Sequence, residues 1–145
     1  MTIATTLKTA AFSLIIAAAA APAIAGGNHV DVSQWGWGNA VGGGQLGNFN
    51  TIIVDQGGIW NEAIVMQDGN GNVGAVGQTG INNGAGIAQN GDGNIGGVGQ
   101  FGTNNQADLE QNGTGNAAAV LQFGDGNTTA TTQTGSGNVV AIVQY

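Results

Sequence analysis

The sequence repeats itself at one fixed interval. Gln stands at eleven positions from 34 to 144 in steps of 11, and Asn does the same from 28 to 138. A Gly lies two residues after each Gln from position 36 to position 135. No insertion or deletion interrupts the series. A fixed period of this kind predicts stacked units, each of which buries its apolar face against its neighbours.

Each unit combines a strand pattern with a turn pattern. The unit is Asn-x-φ-x-φ-x-Gln-x-Gly-x-x, in which φ stands for a small or apolar residue. Side chains alternate along a strand, so the Asn, both small or apolar residues and the Gln share one face. The first seven residues therefore predict a strand. The last four predict a corner, because Gly adopts positive backbone angles without steric cost.

The corners alternate between two kinds, so the structural repeat is two units long. One kind is polar and rich in Gly, as at Asp68-Gly-Asn-Gly. The other has an aromatic residue directly after Gln, at Trp35, Phe101, Phe123 and Tyr145, with Gly57 and Thr79 as exceptions. One rung is then strand-corner-strand-corner. The fold predicted is all-β, a two-sheet parallel β-solenoid of 22-residue rungs, in which each strand pairs with the strand two units away. Residues 39–145 supply five rungs, and residues 28–34 add an extra half-rung at the N-terminal end.

The Asn and Gln side chains are predicted to point into the thin interior. A buried amide without partners is costly, but identical amides one rung apart can hydrogen-bond along the axis, as in amyloid ladders. A one-residue slip would turn them all outward, so the ladder also fixes the register. The predicted ladder consists of Asn39, Gln45, Asn50, Gln56, Asn61, Gln67, Asn72, Gln78, Asn83, Gln89, Asn94, Gln100, Asn105, Gln111, Asn116, Gln122, Asn127, Gln133, Asn138 and Gln144. The predicted corner glycines are Gly47, Gly58, Gly69, Gly80, Gly91, Gly102, Gly113, Gly124 and Gly135.

Composition excludes several classes of function. One Lys and no Arg cannot form the basic surface that nucleic acids require. The absence of Cys excludes disulfides, thiol catalysis and Cys-ligated metals. Beyond residue 25 there are one His (His29) and two Ser (Ser33 and Ser136), too few for a nucleophile, a base and an orienting group. We therefore expect no enzyme, no catalytic, metal or cofactor site and no small-molecule substrate.

Two other binding functions fit the sequence poorly. The run that begins at Asp68 has the composition of a calcium loop, but acids do not recur at ligand spacing. An ice-binding face would need rows of Thr, and only residues 128–132 offer one such unit. A solenoid adhesin that does not polymerise remains the alternative from a different class, and it would need capped ends.

Residues 1–25 have the pattern of a secretory signal peptide. Lys8 precedes an apolar run over residues 10–21, and Ala23-Ile-Ala25 has the small-x-small form of a cleavage site. The run is short for a bilayer span, and an N-terminal membrane anchor is the alternative. All eight acids and neither Lys nor Arg follow residue 25, so the exported chain would have a formal charge of −8 with His29 neutral. We expect a short N-terminal segment at 26–38, either a targeting region or an extra strand, and a repeat domain at 39–145.

The C-terminal unit predicts an open, growing end. Residues 139–145 stay on the repeat and form its most apolar unit. Solenoids usually end in polar caps, and an uncovered strand edge is a template for further pairing. We expect polymerisation to be the function. On the outward positions, Asp108 and Glu110 are candidate gatekeepers that slow premature pairing, although plain solubility explains them equally well.

The repeat pattern resembles a known family. Gln-x-Gly-x-x-Asn-x-φ-x-φ-x-Gln over residues 34–145, behind a signal peptide, is similar to the repeat of curlins, the subunits of extracellular curli amyloid in Gram-negative biofilms. Five repeats that end in Gln144-Tyr145 fit the major subunit better than the minor, nucleating one. The resemblance implies a secreted fibre at the cell surface that serves adhesion, cell aggregation and matrix building. It also implies three kinds of partner: a minor curlin nucleator, an outer-membrane secretion channel and periplasmic chaperones.

Overall fold

A computed structural model describes residues 26–145 of the chain. The predicted signal peptide, residues 1–25, lies outside the described residues. The described part consists of eleven strands joined by short corners. The strands are β1 (His29–Trp37), β2 (Ala40–Leu46), β3 (Thr51–Ile59), β4 (Glu62–Asp68), β5 (Val73–Ile81), β6 (Gly84–Asn90), β7 (Ile95–Thr103), β8 (Gln106–Thr114), β9 (Ala117–Asp125), β10 (Thr128–Ser136) and β11 (Val139–Gln144).

The strands form two parallel sheets. The odd-numbered strands make a six-stranded sheet in the order β1-β3-β5-β7-β9-β11, and the even-numbered strands make a five-stranded sheet in the order β2-β4-β6-β8-β10. Every pairing joins residues 22 positions apart, as for His29 with Thr51 and Thr128 with Gln106. The predicted two-sheet parallel β-solenoid with a 22-residue rung is therefore confirmed.

The strand boundaries differ from the seven residues assigned from the pattern. Each strand begins one residue after its Asn, and seven strands continue past Gln to a length of nine residues. The reason is that corner backbones also stack in register. Gly58 pairs with Gly80, and Ile59 pairs with Ile81, beyond the last ladder residue of β3 and β5. The corners therefore extend the sheets instead of only linking them.

The interior between the sheets is thin. It holds twelve buried apolar side chains, four of which are Ala and most of the others Val or Ile. Ladder amides share this space along the whole stack. The first and last strands are less covered, since Val30 is 57% exposed and Val140 and Ile142 are only partly buried. Residues 26–145 contain no helix that is long and apolar enough to cross a membrane.

Candidate functional site

The Gln side chains form two unbroken ladders, one in each sheet. In the six-stranded sheet each Gln Nε2 donates to the Oε1 of the Gln 22 residues later, from Gln34 to Gln144, at 2.6–2.9 Å. The five-stranded sheet repeats this from Gln45 to Gln133 at 2.7–2.9 Å. Each ladder runs through all strands of its sheet, so every rung bonds to the next through its side chains as well as its backbone.

The same Gln amides also tie the two sheets together. Each Gln from Gln45 to Gln144 also donates a bond to a backbone carbonyl 16 residues earlier, in the opposite sheet, at 2.8–3.3 Å. These carbonyls belong to the first residue of each strand from His29 to Thr128. Gln34 has no preceding strand among residues 26–145, so it lacks this bond, and the carbonyl of Val139 has no such donor. The pattern is therefore incomplete only at the two ends.

The Asn side chains hold the corners. Asn83 is representative: its Nδ2 donates to Asn61 Oδ1 and to the Gly102 carbonyl, both at 3.0 Å. Its Oδ1 accepts from the backbone N–H and from the Nδ2 of Asn105, both at 3.1 Å. Because Asn83 is 1% exposed, these bonds satisfy a polar group that would otherwise be costly to bury.

The structure brings the predicted ladder residues together in the interior. Sixteen of the twenty are buried. The four others lie at or near the two ends of the stack, at Gln45, Asn127, Asn138 and Gln144. Stacked amides therefore fill the middle of the interior and reach solvent where the stack stops.

The nine predicted corner glycines all have positive φ, between 92° and 135°. There is a second requirement that the sequence did not reveal. A Cβ on any of seven of them, from Gly47 to Gly113, would lie 1.8–2.1 Å from the carbonyl oxygen of the corner glycine in the next rung. The last two, Gly124 and Gly135, face no further rung, and their nearest atoms would be 3.8 and 3.5 Å away.

A second left-handed position lies directly before each ladder Asn and was not predicted. It is Gly in most corners, but Asn82, Asn104, Phe49 and Trp60 also have φ of 55–58°. Such a backbone is uncommon for large side chains. The Trp60 indole lies against Gly38, where a Cβ would come within 2.2 Å of the ring. The frequency of Gly and Asn before each ladder Asn was the available signal.

The aromatic corner residues do not form one column. Phe101 stacks on Phe123 with ring centroids 5.3 Å apart, and Phe123 stacks on Tyr145 at 5.6 Å. Trp35 lies at the other end and covers Gly57, where a Cβ would be 2.4 Å from the indole. Gly57, an exception to the aromatic corner pattern, therefore makes room for its neighbour's ring.

The candidate gatekeepers lie on the outer face of the five-stranded sheet. Asp108 and Glu110 are exposed on β8. The Asp108 carboxylate leans over β6, where a Cβ on Gly86 would meet its Oδ1 at 2.6 Å. Glu110 accepts a bond from Asn112 Nδ2 at 2.7 Å. The opposite face of the stack differs, since the outward residues between the ladder Asn and Gln of β5, β7, β9 and β11 are all Gly, Ala, Val, Ile or Leu.

One buried hydroxyl among residues 26–145 has no partner: Thr131 Oγ1 on β10. Burying it costs free energy that Val, with the same shape and no hydroxyl, would not incur. We expect Thr131→Val to stabilise the stack by about 1 kcal/mol. The measurement is the guanidinium concentration at which the folded or assembled chain is half dissociated.

Thr129 provides the matched control on the same strand. Its hydroxyl accepts from Gln122 Nε2 at 3.1 Å and donates to Gln144 Oε1. Thr129→Val should therefore destabilise by about 1 kcal/mol. A shift of the same sign for both variants would contradict this account of β10.

Both ends of the stack expose strand edges together with large apolar side chains. At the first end Trp37 and Phe49 are 72% and 71% exposed, and at the last end Val139 and Tyr145 are 79% and 90% exposed. The backbone N–H groups that start β10 and β11 have no partner strand within residues 26–145. The ends therefore offer both hydrogen-bonding groups and apolar area to a partner.

No metal-binding arrangement is present in the described part of the chain. No three His, Cys, Asp or Glu side chains come close enough there to hold an ion. His29 is exposed at the start of β1. The features that remain as a functional site are therefore the two ladders and the strand edges at which they stop.

Comparison with known proteins agrees with this description of the repeats. A family model described as the curlin associated repeat matches residues 80–111 and again residues 102–135. The two matches together span residues 80–135, from the end of β5 into β10. No curated protein matches the chain.

Proposed function

We propose that this chain, a curlin-repeat protein, is a secreted structural subunit that polymerises into extracellular curli-type amyloid fibres. The fibres would form at the surface of a Gram-negative bacterium and serve biofilm matrix building, adhesion and cell aggregation. In this proposal the strand edges at the two ends of the stack are the sites where copies join.

The observation that supports polymerisation is the way the ladders end. Both Gln ladders continue to the last strand of their sheet, and Gln144 and Gln34 lie at the limits of the longer one. Among residues 26–145 no helix, proline or cluster of charges covers either end. Uncovered parallel strands with stacked amides are the elements from which cross-β fibres grow.

The remaining parts of the proposal rest on the family. Residues 1–25 would direct export, and residues 26–38 would be a short segment before the repeat domain at 39–145. A minor curlin would nucleate the fibre, a dedicated outer-membrane channel would secrete the unfolded chain, and periplasmic chaperones would keep it soluble. The repeats are structural, and the proposed role needs no cofactor.

The test is polymerisation of residues 26–145 diluted from denaturant at micromolar concentration. We expect thioflavin fluorescence to rise after a lag, added fibres to remove the lag, and the product to diffract at about 4.7 and 10 Å. A soluble, β-rich monomer that never seeds would overturn the proposal. The non-polymerising adhesin would then be the better description.

The acidic pair on β8 gives a kinetic prediction. If the β8 strands of two copies paired with each other, their Asp108 and Glu110 carboxylates would lie side by side. The repulsion between these like charges should delay nucleation. We expect the double variant Asp108→Ala, Glu110→Ala to shorten the lag several-fold, measured by thioflavin fluorescence at fixed salt. The control, Glu62→Ala with Asp68→Ala, removes the same charge from β4, where the two acids lie at opposite ends of the strand. An equal shortening in both variants would show an effect of net charge alone.

A further inference from the structure

We infer that successive copies in the fibre are related by a half-turn about the fibre axis. In this arrangement β1 of a second copy pairs with β10 of the first, and β2 of the second copy pairs with β11. The inference rests on the proposed function, since it assumes that copies join end to end. It specifies the surface that one copy presents to the next.

The odd number of strands is the starting point. Consecutive strands alternate between the sheets, so residues 26–145 climb along the axis as a staircase with eleven steps, six in one sheet and five in the other. Strands within a sheet are about 4.8 Å apart, so each step rises about 2.4 Å. The step after β11 belongs beside β10, in the five-stranded sheet. A copy that continues the staircase must place its β1 there, so it is rotated by half a turn relative to the first copy.

The unrotated alternative leaves a gap. If β1 of the second copy paired with β11, its β2 could not reach β10, because one strand would be missing between them. The edge of β10 would stay unpaired over residues 128–136. Val140 and Ile142, which are now only partly buried, would face an empty slot instead of a sheet. Voids of this kind lose packing contacts and destabilise an assembly.

The half-turn also completes the unfinished hydrogen bonds. In the register of the stack, Gln34 of the second copy would lie over Gln133 and its Gln45 over Gln144. The Nε2 of Gln34, which lacks a carbonyl partner, would reach the Val139 carbonyl, the one that lacks a donor. The N–H groups of Thr128 and Val139, which have no strand partner within residues 26–145, would both be paired. In the unrotated arrangement Thr128 would remain unpaired.

Residues 26–145, the segment used in the polymerisation test, fit the same lattice. Eleven repeat units need 121 positions, and residues 26–145 occupy 120 of them. The half-turn therefore leaves one vacant position between Tyr145 and Gly26 of the second copy. Gly27 of that copy then falls on the left-handed corner position, and its φ of +73° already has the required sign. In fibres of this segment, residue 145 of one copy therefore does not collide with residue 26 of the next.

The axial repeat separates the two arrangements. Five and a half rungs at about 4.8 Å give about 26 Å per copy for the half-turn. Six rungs give about 29 Å per copy for the unrotated pairing. Helical reconstruction of the fibre should therefore give a rotation near half a turn per copy and the smaller rise, apart from the twist of the sheets.

Introduced cysteines provide the decisive test, because the chain has none of its own. Ser33 of the second copy would lie beside Thr132 after a half-turn and beside Val143 without one. Neighbouring parallel strands place these Cα atoms about 4.8 Å apart, within the range of a disulfide. After assembly and oxidation, Ser33→Cys with Thr132→Cys should run as covalent dimers and higher oligomers on a denaturing gel. Ser33→Cys with Val143→Cys should remain monomeric.

The control pair is Ser33→Cys with Asp55→Cys, which are register partners within one copy and should form an intramolecular disulfide. Fibres linked through residue 143, through both pairs equally, or through neither would overturn the half-turn and leave the proposed function intact. Failure of all the variants and of the unmodified chain to form fibres would overturn the proposed function, and the inference with it.

A second variant tests the same contact without cysteines. A Cβ on Gly135 has no close neighbour in a single copy, but after a half-turn it would meet the Gly36 carbonyl of the second copy, as Gly113 meets Gly135. Gly135→Ala should therefore block elongation from preformed seeds. Gly124→Ala, with a similar φ of 103°, faces the vacant lattice position and should elongate normally. Equal growth of both variants would overturn the half-turn.

Discussion

Replacement of Gly80 by Ala is expected to prevent a stable stack. Gly80 has a φ of +135°, and an added Cβ would lie 1.8 Å from the Gly102 carbonyl oxygen. That oxygen accepts from Asn83 Nδ2, and its corner is in register with the rungs on both sides. The clash cannot be relieved by a rotamer change, since both partners are backbone. We expect a loss of more than about 4 kcal/mol, seen as failure to assemble or a greatly lowered guanidinium midpoint.

Gly77 provides the matched control, three residues earlier on the same strand. A Cβ on Gly77 would meet no atom within 4 Å, and its φ is not in the left-handed region. Gly77→Ala should assemble with a midpoint equal to or slightly above that of the unmodified chain, because Ala lowers the entropy of the unfolded state. If Gly80→Ala and Gly77→Ala gave the same midpoint, the close approach of corner backbones would not be a constraint on this fold.

The two glycines illustrate which parts of the fold could be predicted from the sequence. A strict period identifies the strands, the sheets and the 22-residue register, because strand alternation and stacking follow from local rules. The period also marks Gly80 as a corner and Gly77 as an outward strand residue. The distance between stacked corner carbonyls could not be predicted. It depends on how tightly two rungs approach in three dimensions, and only the assembled sheets determine that.

The corner aromatics show the same limit. Gly57 breaks the aromatic pattern of its corner, and the sequence offers no reason for it. In the structure the Trp35 indole occupies the space over Gly57. A large side chain in one rung is thus accommodated by a small residue at the same position in the next rung. A repeat consensus averages over the rungs, so it hides pairs in which one member departs from the consensus because of the other.

The candidate site was predictable to a similar degree. The inward face of each strand identifies the Gln and Asn ladders, since a buried amide needs a partner and the next rung supplies one. The second bonds were not predictable. Gln100 reaches the Gly84 carbonyl across the interior, and Asn83 reaches the Gly102 carbonyl across a corner. Both depend on the thickness of the interior and on the path of the corner.

The second large effect is expected at one of these amides. Asn83→Ala would remove both side-chain bonds to Asn105, leaving the buried backbone N–H of Asn105 without an acceptor. It would also leave the Gly102 carbonyl without its side-chain donor. Unsatisfied buried groups cost about 1–3 kcal/mol each, so the total loss should be about 4 kcal/mol. The measurement is the guanidinium midpoint of the assembled chain, together with its seeded growth rate.

Asn90→Ala is the control, since Asn90 is exposed at the end of β6 and an exposed substitution of this kind usually shifts stability by less than about 0.5 kcal/mol. If the loss of stability of Asn83→Ala were as small as that of the control, water would replace the lost hydrogen bonds, and the interior would be hydrated at the corners. A large loss would mean that the interior is dry there. The Asn side chains would then be as necessary to the stack as the apolar residues between the sheets, because each serves its own rung and the two rungs beside it.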